Sequence, residues 1–149
     1  MGIIFIRDGQ PYVLEASATV RYTRLQDWIA HGVHDDYVVK RLRTSIADQQ
    51  VERLRETAQS FLGRPYDLTF EWSDSRIYCS ELVWKIYDRA LGVKLGELQH
   101  LRDFDLSSPV VSTKLRERYG DAPPLDEPVI SPAAMFSSPL LVEVAHKGS

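Results

Sequence analysis

Trp72-Ser73-Asp74-Ser75-Arg76-Ile77-Tyr78-Cys79-Ser80-Glu81-Leu82-Val83 changes character at its cysteine, the only one in the chain. Up to Tyr78 the stretch is polar and turn-like. From Cys79 onward, Leu82, Val83, Ile86, Tyr87 and Ala90 fall on one helical face, and Gly92 ends the pattern. Cys79 therefore belongs to the first turn of a predicted helix. There the backbone N–H groups have no carbonyl partner and the helix dipole is positive. Such a position favours an anion, and the thiolate is the form of cysteine that attacks carbon. With no second cysteine to pair with, a nucleophile is one reading of Cys79. A small, half-buried residue that starts a helix is the other, and residue types alone leave both open.

The rest of the chain organises around that helix. Ile3–Ile6 and Tyr12–Leu14 flank Asp8-Gly9, so residues 3–7 and 11–16 read as a β-hairpin. A strand is expected around Thr19–Tyr22. Thr23-Arg24-Leu25-Gln26 reads as a capping box opening a short helix that stops at Gly32. Tyr37–Leu42 is β-rich and is expected to return to the same sheet. Ala47, Val51, Leu54, Ala58 and Phe61 share one face of a helix that Gly63 and Pro65 end. Ser108-Pro109 opens a helix to Gly120, Ser131-Pro132 opens a shorter one, and Leu140–Val144 reads as a last strand. A surface loop is expected around Pro123-Pro124 and Pro128. The mixture of an antiparallel sheet with separate helices is α+β, in a single domain over 1–149.

The totals exclude several classes. A net charge of −3 gives no reason to expect nucleic acid or an anionic membrane as partner. One cysteine excludes a disulfide framework within the chain and a cysteine-rich zinc site. No apolar run reaches the roughly 18 residues that span a bilayer. His31 and His34 are separated by Gly32, which breaks the helix that would align them, so no metal site is expected, and no cofactor. All four histidines, His31, His34, His100 and His146, read as surface residues, His146 in the C-terminal tail. A cysteine hydrolase needs a base within hydrogen-bond reach of sulfur, and these positions do not show one.

The chain resembles the YiiX-like proteins, a circularly permuted branch of the NlpC-type cysteine peptidases with a papain-like fold. The resemblance is carried by Gly63-Arg64-Pro65-Tyr66-Asp67, Phe70-Glu71-Trp72-Ser73-Asp74 and Tyr78-Cys79-Ser80-Glu81-Leu82-Val83-Trp84. It continues through Pro11-Tyr12-Val13-Leu14-Glu15-Ala16, Trp28-Ile29-Ala30-His31-Gly32, Phe104-Asp105-Leu106-Ser107, Leu115–Gly120 and Ile130-Ser131-Pro132, nearly the whole chain. It implies Cys79 as nucleophile and Glu15 as the acid that orients a histidine base; Tyr78 and Asp74, near the cysteine in sequence, are candidates for shaping the substrate pocket. The family histidine corresponds to a position immediately before Met1. The expectation is therefore a fold lacking its N-terminal part, weak hydrolysis by residues 1–149, and self-association along the exposed N-terminal strand. The implied substrate is a peptide or small amide, with cell-wall peptide as the class. An acyltransferase or thioesterase acting on lipids, and a peptide-binding module without turnover, are the rival readings. The implied location is periplasmic or cell-envelope for a form with an export signal, and cytoplasmic for the chain as written.

Overall fold

The computed structural model describes residues 1–148, apart from the side chains of Val110, Val111 and Lys114. Strands β1 (Gly2–Arg7), β2 (Gln10–Ala16) and β3 (Val20–Arg24) form an antiparallel sheet in the order β1-β2-β3. The turn between β1 and β2 is Asp8-Gly9, both at positive φ (49° and 73°), as the dipeptide predicts. Gly2 pairs with Glu15 and Ile3 with Leu14, and Glu15 pairs onward with Arg21. Strand alternation then puts Ile3, Phe5, Leu14, Ala16 and Val20 on one face, all buried in the core, and Glu15, Thr23 and Arg21 on the other.

The core face is covered by the second and third helices, which bury side chains in one cluster with the strands, while the first buries none. Helix α1 (Leu25–Ala30) follows β3, and α2 (Asp48–Phe61) buries Leu54, Ala58 and Phe61, three of the five positions read from the periodicity. Helix α3 (Cys79–Leu91) packs along α2 and buries Leu82, Val83, Ile86 and Ala90. It ends at Gly92, whose φ of 67° suits a residue with no side chain. Leu82 and Ile86 are fully buried. At about 25 cal/mol per Å² of apolar surface, removal of each from water stabilises the fold by about 1.5–3 kcal/mol before ordering costs.

Several expectations are corrected. Strand β4 (Tyr37–Leu42) does not return to the first sheet but pairs antiparallel with β7 (Leu141–Lys147) in a second, two-stranded one. An apolar cavity of about 780 Å³ separates the two sheets, lined among others by Ile4, Val13, Trp28, Leu42, Val83 and Met135. The last strand also runs further than Val144, so His146 lies in β7 rather than in a tail. Thr23 does not cap α1. It lies in β3, and the helix starts after Arg24 with no side-chain cap. A third pair, β5 (Gln99–His100) with β6 (Pro128–Val129), had no signal in the sequence because each strand is two residues long. Helices α4 (Pro109–Tyr119) and α5 (Pro132–Phe136) start at the prolines that mark them, and Ser131 accepts the Ala134 N–H at 3.1 Å. Among the described residues no helix is long and apolar enough to cross a membrane.

Candidate active site

Cys79 is the first residue of α3, half-buried, with its thiol free of any disulfide. Its helix start is shaped by both neighbours. Tyr78 is buried and its phenol is hydrogen-bonded to the Ile130 N–H at 3.2 Å, so this residue anchors the helix start in the core. Burial pushes the Tyr78 phenol well above the ordinary tyrosine range. Glu81 reaches back, and its Oε2 accepts the Tyr78 N–H at 3.3 Å. Ser80 donates to the Ile130 carbonyl at 2.8 Å. The side chains of Tyr78, Ser80 and Glu81 thus fix the turn that presents the sulfur.

The partner of Cys79 is Tyr66. The segment after α2 crosses back under the hairpin: Val20 N–H donates to Arg64 O at 2.8 Å and Tyr66 N–H to Ala18 O at 3.1 Å. Tyr66 then bridges Ile77 in parallel, which brings its phenol onto the start of α3. The Tyr66 hydroxyl thereby faces both the thiol and the backbone N–H of Cys79, near enough to interact with each. Burial first, and then the adjacent Cys79 side chain, push this phenol up to about 12. It therefore stays a neutral donor throughout the neutral range. In the sequence Tyr66 is only one residue of the Gly63–Asp67 motif. Its role comes from the pairing of residue 66 with residue 77, which no local pattern encodes.

The other sequence-derived residues stand apart from this pair. Glu15 accepts the Thr23 hydroxyl at 2.6 Å and lies 3.6 Å from Arg21 Nε. It is a mostly buried carboxylate on the hairpin with two partners of its own. Asp74 is gripped by Arg89, Nη1 and Nη2 both at 2.8 Å, and by Lys85 at 3.0 Å. The Arg89 hydrogen bonds, with further help from Lys85, hold its carboxyl down at about 2. Among the described residues neither carboxylate is bonded to Cys79. Nor is any histidine. His146 pairs with Glu143 at 2.7 Å, His100 stands 3.8 Å from Asp103, His31 caps α1, and His34 sits in a short 3-10 turn at φ 57°.

The arrangement can do nucleophilic acyl chemistry. A sulfur at a helix start faces a neutral phenol donor, and the same start offers the Cys79 N–H to a developing oxyanion. A family model described as the permuted papain-like amidase enzyme, YaeF/YiiX, C92 family, matches residues 1–145. The Escherichia coli (strain K12) protein called uncharacterized protein YiiX is 52% identical over 146 residues, which are 98% of this chain and 72% of that protein. A crystal structure of yiiX from Escherichia coli O157:H7 superposes with a TM-score of 0.89 at 50% identity, over 98% of this chain and 81% of that one. That protein is described as a metalloprotein. Among the described residues here, no three His, Cys, Asp or Glu side chains come together as a metal-holding group. The mixed helices and antiparallel strands are those of the permuted papain-like fold, and the chain belongs to the permuted papain-like amidases of the YaeF/YiiX, C92 family.

Proposed function

We propose that Cys79 is the nucleophile of an amide hydrolase and that Tyr66 is its oxyanion donor. The observation that carries this reading is the Tyr66 phenol set against the thiol and the N–H of Cys79 at the start of α3, where the bridge from Tyr66 to Ile77 puts it. The thiolate attacks the carbonyl carbon, forming a C–S bond while the carbonyl π pair moves onto oxygen. That oxyanion takes over the Cys79 N–H and the Tyr66 hydroxyl, displacing the sulfur as the phenol's acceptor. Collapse expels the amine, which takes a proton from the general acid. Water then cleaves the thioester, releasing a carboxylic acid and restoring the thiol.

The proton carrier in this reading is the histidine that the family resemblance implies immediately before Met1. Hairpin register supports it: β1 continued by one residue past Met1 meets Ser17, two residues along β2 from Glu15 and on the same face. Glu15 would then hold the tautomer of that imidazole. Peptide amides, with cell-wall peptides as the class, are the proposed substrates, and Tyr78 and Asp74 act from behind the site by fixing the helix start and the preceding loop.

The test uses a form bearing that histidine and a peptide amide substrate. Cys79→Ala abolishes turnover, and Tyr66→Phe lowers kcat on the order of 10²-fold with little change in KM. Turnover that survives Cys79→Ala sinks the reading.

A further inference from the structure

Cys79 and Tyr66 stand at the two ends of one loop. It leaves at Tyr66 and returns at Ile77, and its neck is closed by Asp67 N–H to Ile77 O at 3.2 Å and Ile77 N–H to Pro65 O at 3.1 Å. Where the returning arm lies therefore decides how the phenol meets the sulfur. The outgoing arm is organised by the buried Asp67 carboxylate, which accepts from Thr69 N–H (2.8 Å), Thr69 hydroxyl (2.7 Å) and Glu71 N–H (2.6 Å). The tip is held by Glu127, the residue just before β6, whose Oε1 accepts the Trp72 N–H at 2.6 Å.

The returning arm meets two cations, both at Asp74: Arg89, which is half-exposed, and Lys85, which is buried. Lys85 projects from α3 with 4% of its surface exposed, and its ammonium donates to Ser73 O at 2.8 Å and Asp74 Oδ1 at 3.0 Å. It also stands 2.7 Å from Glu81 Oε1, on a residue that is fully buried. The second oxygen of Glu81 holds the Tyr78 N–H. A single buried ammonium thus ties the arm entering Cys79 to the helix leaving it. Burying an ammonium and a carboxylate costs several kcal/mol each, and apolar residues of similar volume often stabilise as well or better. Packing alone does not account for this pair.

We propose that Lys85 is a positioning residue: it holds the returning arm of the loop in the one place that sets the Tyr66 hydroxyl on Cys79. The inference rests on the reading of Cys79 and Tyr66 as the reacting pair. It assigns the Lys85–Glu81 couple a task in the geometry of the site, where neither residue touches the reacting atoms.

The experiment is a double-mutant cycle read by the rate at which iodoacetamide alkylates Cys79, together with amide hydrogen exchange over residues 73–79. It is run well below the melting temperature of each variant. In the wild-type background, Tyr66→Phe changes the alkylation rate. In the Lys85→Met background the same substitution changes it little, because the phenol no longer meets the sulfur, and exchange over 73–79 speeds up on the order of tenfold. A Tyr66→Phe effect of equal size in both backgrounds, with exchange unaltered, overturns the proposal. If Lys85→Met does not fold, Asp74→Asn carries the same two readings with smaller shifts, and null results there overturn it as well. Alkylation and exchange need no turnover, so they decide the role of Lys85 even where Cys79→Ala shows that the hydrolase reading has failed.

Discussion

Thr23 donates its hydroxyl to Glu15 Oε1 at 2.6 Å across the β2–β3 ladder, in place of capping the helix that starts two residues later. The carboxylate has little solvent to turn to, and Arg21 at 3.6 Å is its other polar partner among the described residues. Thr23→Val keeps the β-branched shape and removes the donor. We expect a loss of about 1.5–3 kcal/mol in urea unfolding, the usual worth of a hydrogen bond to a charged group. An unchanged midpoint and slope would show that Arg21 takes over the whole interaction.

Glu81 gives the molecule a pH dependence of unusual sign. Burial pushes its carboxyl up to about 7 from the ordinary 4.5, against the opposing pull of Lys85. The folded protein then holds this proton more tightly than the unfolded chain. Its contribution to stability is fully present below about 4.5 and is lost as pH rises through about 7. Urea midpoints measured from pH 4.5 to 8 should carry a declining component, on the order of 1–3 kcal/mol, that Glu81→Gln removes. A Gln variant whose pH profile parallels wild type would refute this.

Asp74 acts in the opposite sense. Its carboxyl is held at about 2, below the ordinary 3.8, chiefly by the Arg89 hydrogen bonds and then by Lys85. Its contribution is present above about 3.8 and disappears as pH falls through about 2. Half of this side chain faces solvent, so salt screens the effect. Melting temperatures of Asp74→Asn should therefore fall less steeply than those of wild type between pH 4 and pH 2, a range chosen from about those two values. Identical acid limbs would place the acid-labile contact elsewhere.

Gly96 is a backbone contact point. Its φ is 86°, and a Cβ there would lie 2.8 Å from the Ala134 carbonyl oxygen, while its own carbonyl accepts the Trp84 indole N–H at 3.3 Å. Gly96→Ala meets strain in both conformation and space, with α5 backbone as the obstacle. We expect a loss on the order of 1–3 kcal/mol by chemical unfolding. Gly63→Ala, also at positive φ (80°) but with open space around it, should cost less.

Much of this molecule was legible in its residues. The hairpin, α2 and α3 appear where periodicity and the Asp8-Gly9 and Gly92 signals put them, because each depends on contacts within one element. The Cys79 position at a helix start was legible for the same reason. What was not legible depends on partners far away in the chain. Strand β4 looks like any half-buried strand, and nothing in Tyr37–Leu42 says that it pairs with residues 141–147. Thr23 has the sequence of a cap, but its hydroxyl found a carboxylate across the ladder. Tyr66 is one of seven tyrosines, and only the bridge to Ile77 sets it apart.

The packing around Trp72 makes the loop observable with light. Its indole stands edge-on to that of Trp84, with ring centroids 5.5 Å apart, and the Lys85 ammonium sits 4.7 Å from its centroid. A cation at that range perturbs the excited state of an indole, so emission from this chromophore pair reports whether the arm is docked. With Trp28→Phe removing the remaining fluorophore of its kind, that emission follows undocking in the Lys85→Met variant without any attached dye.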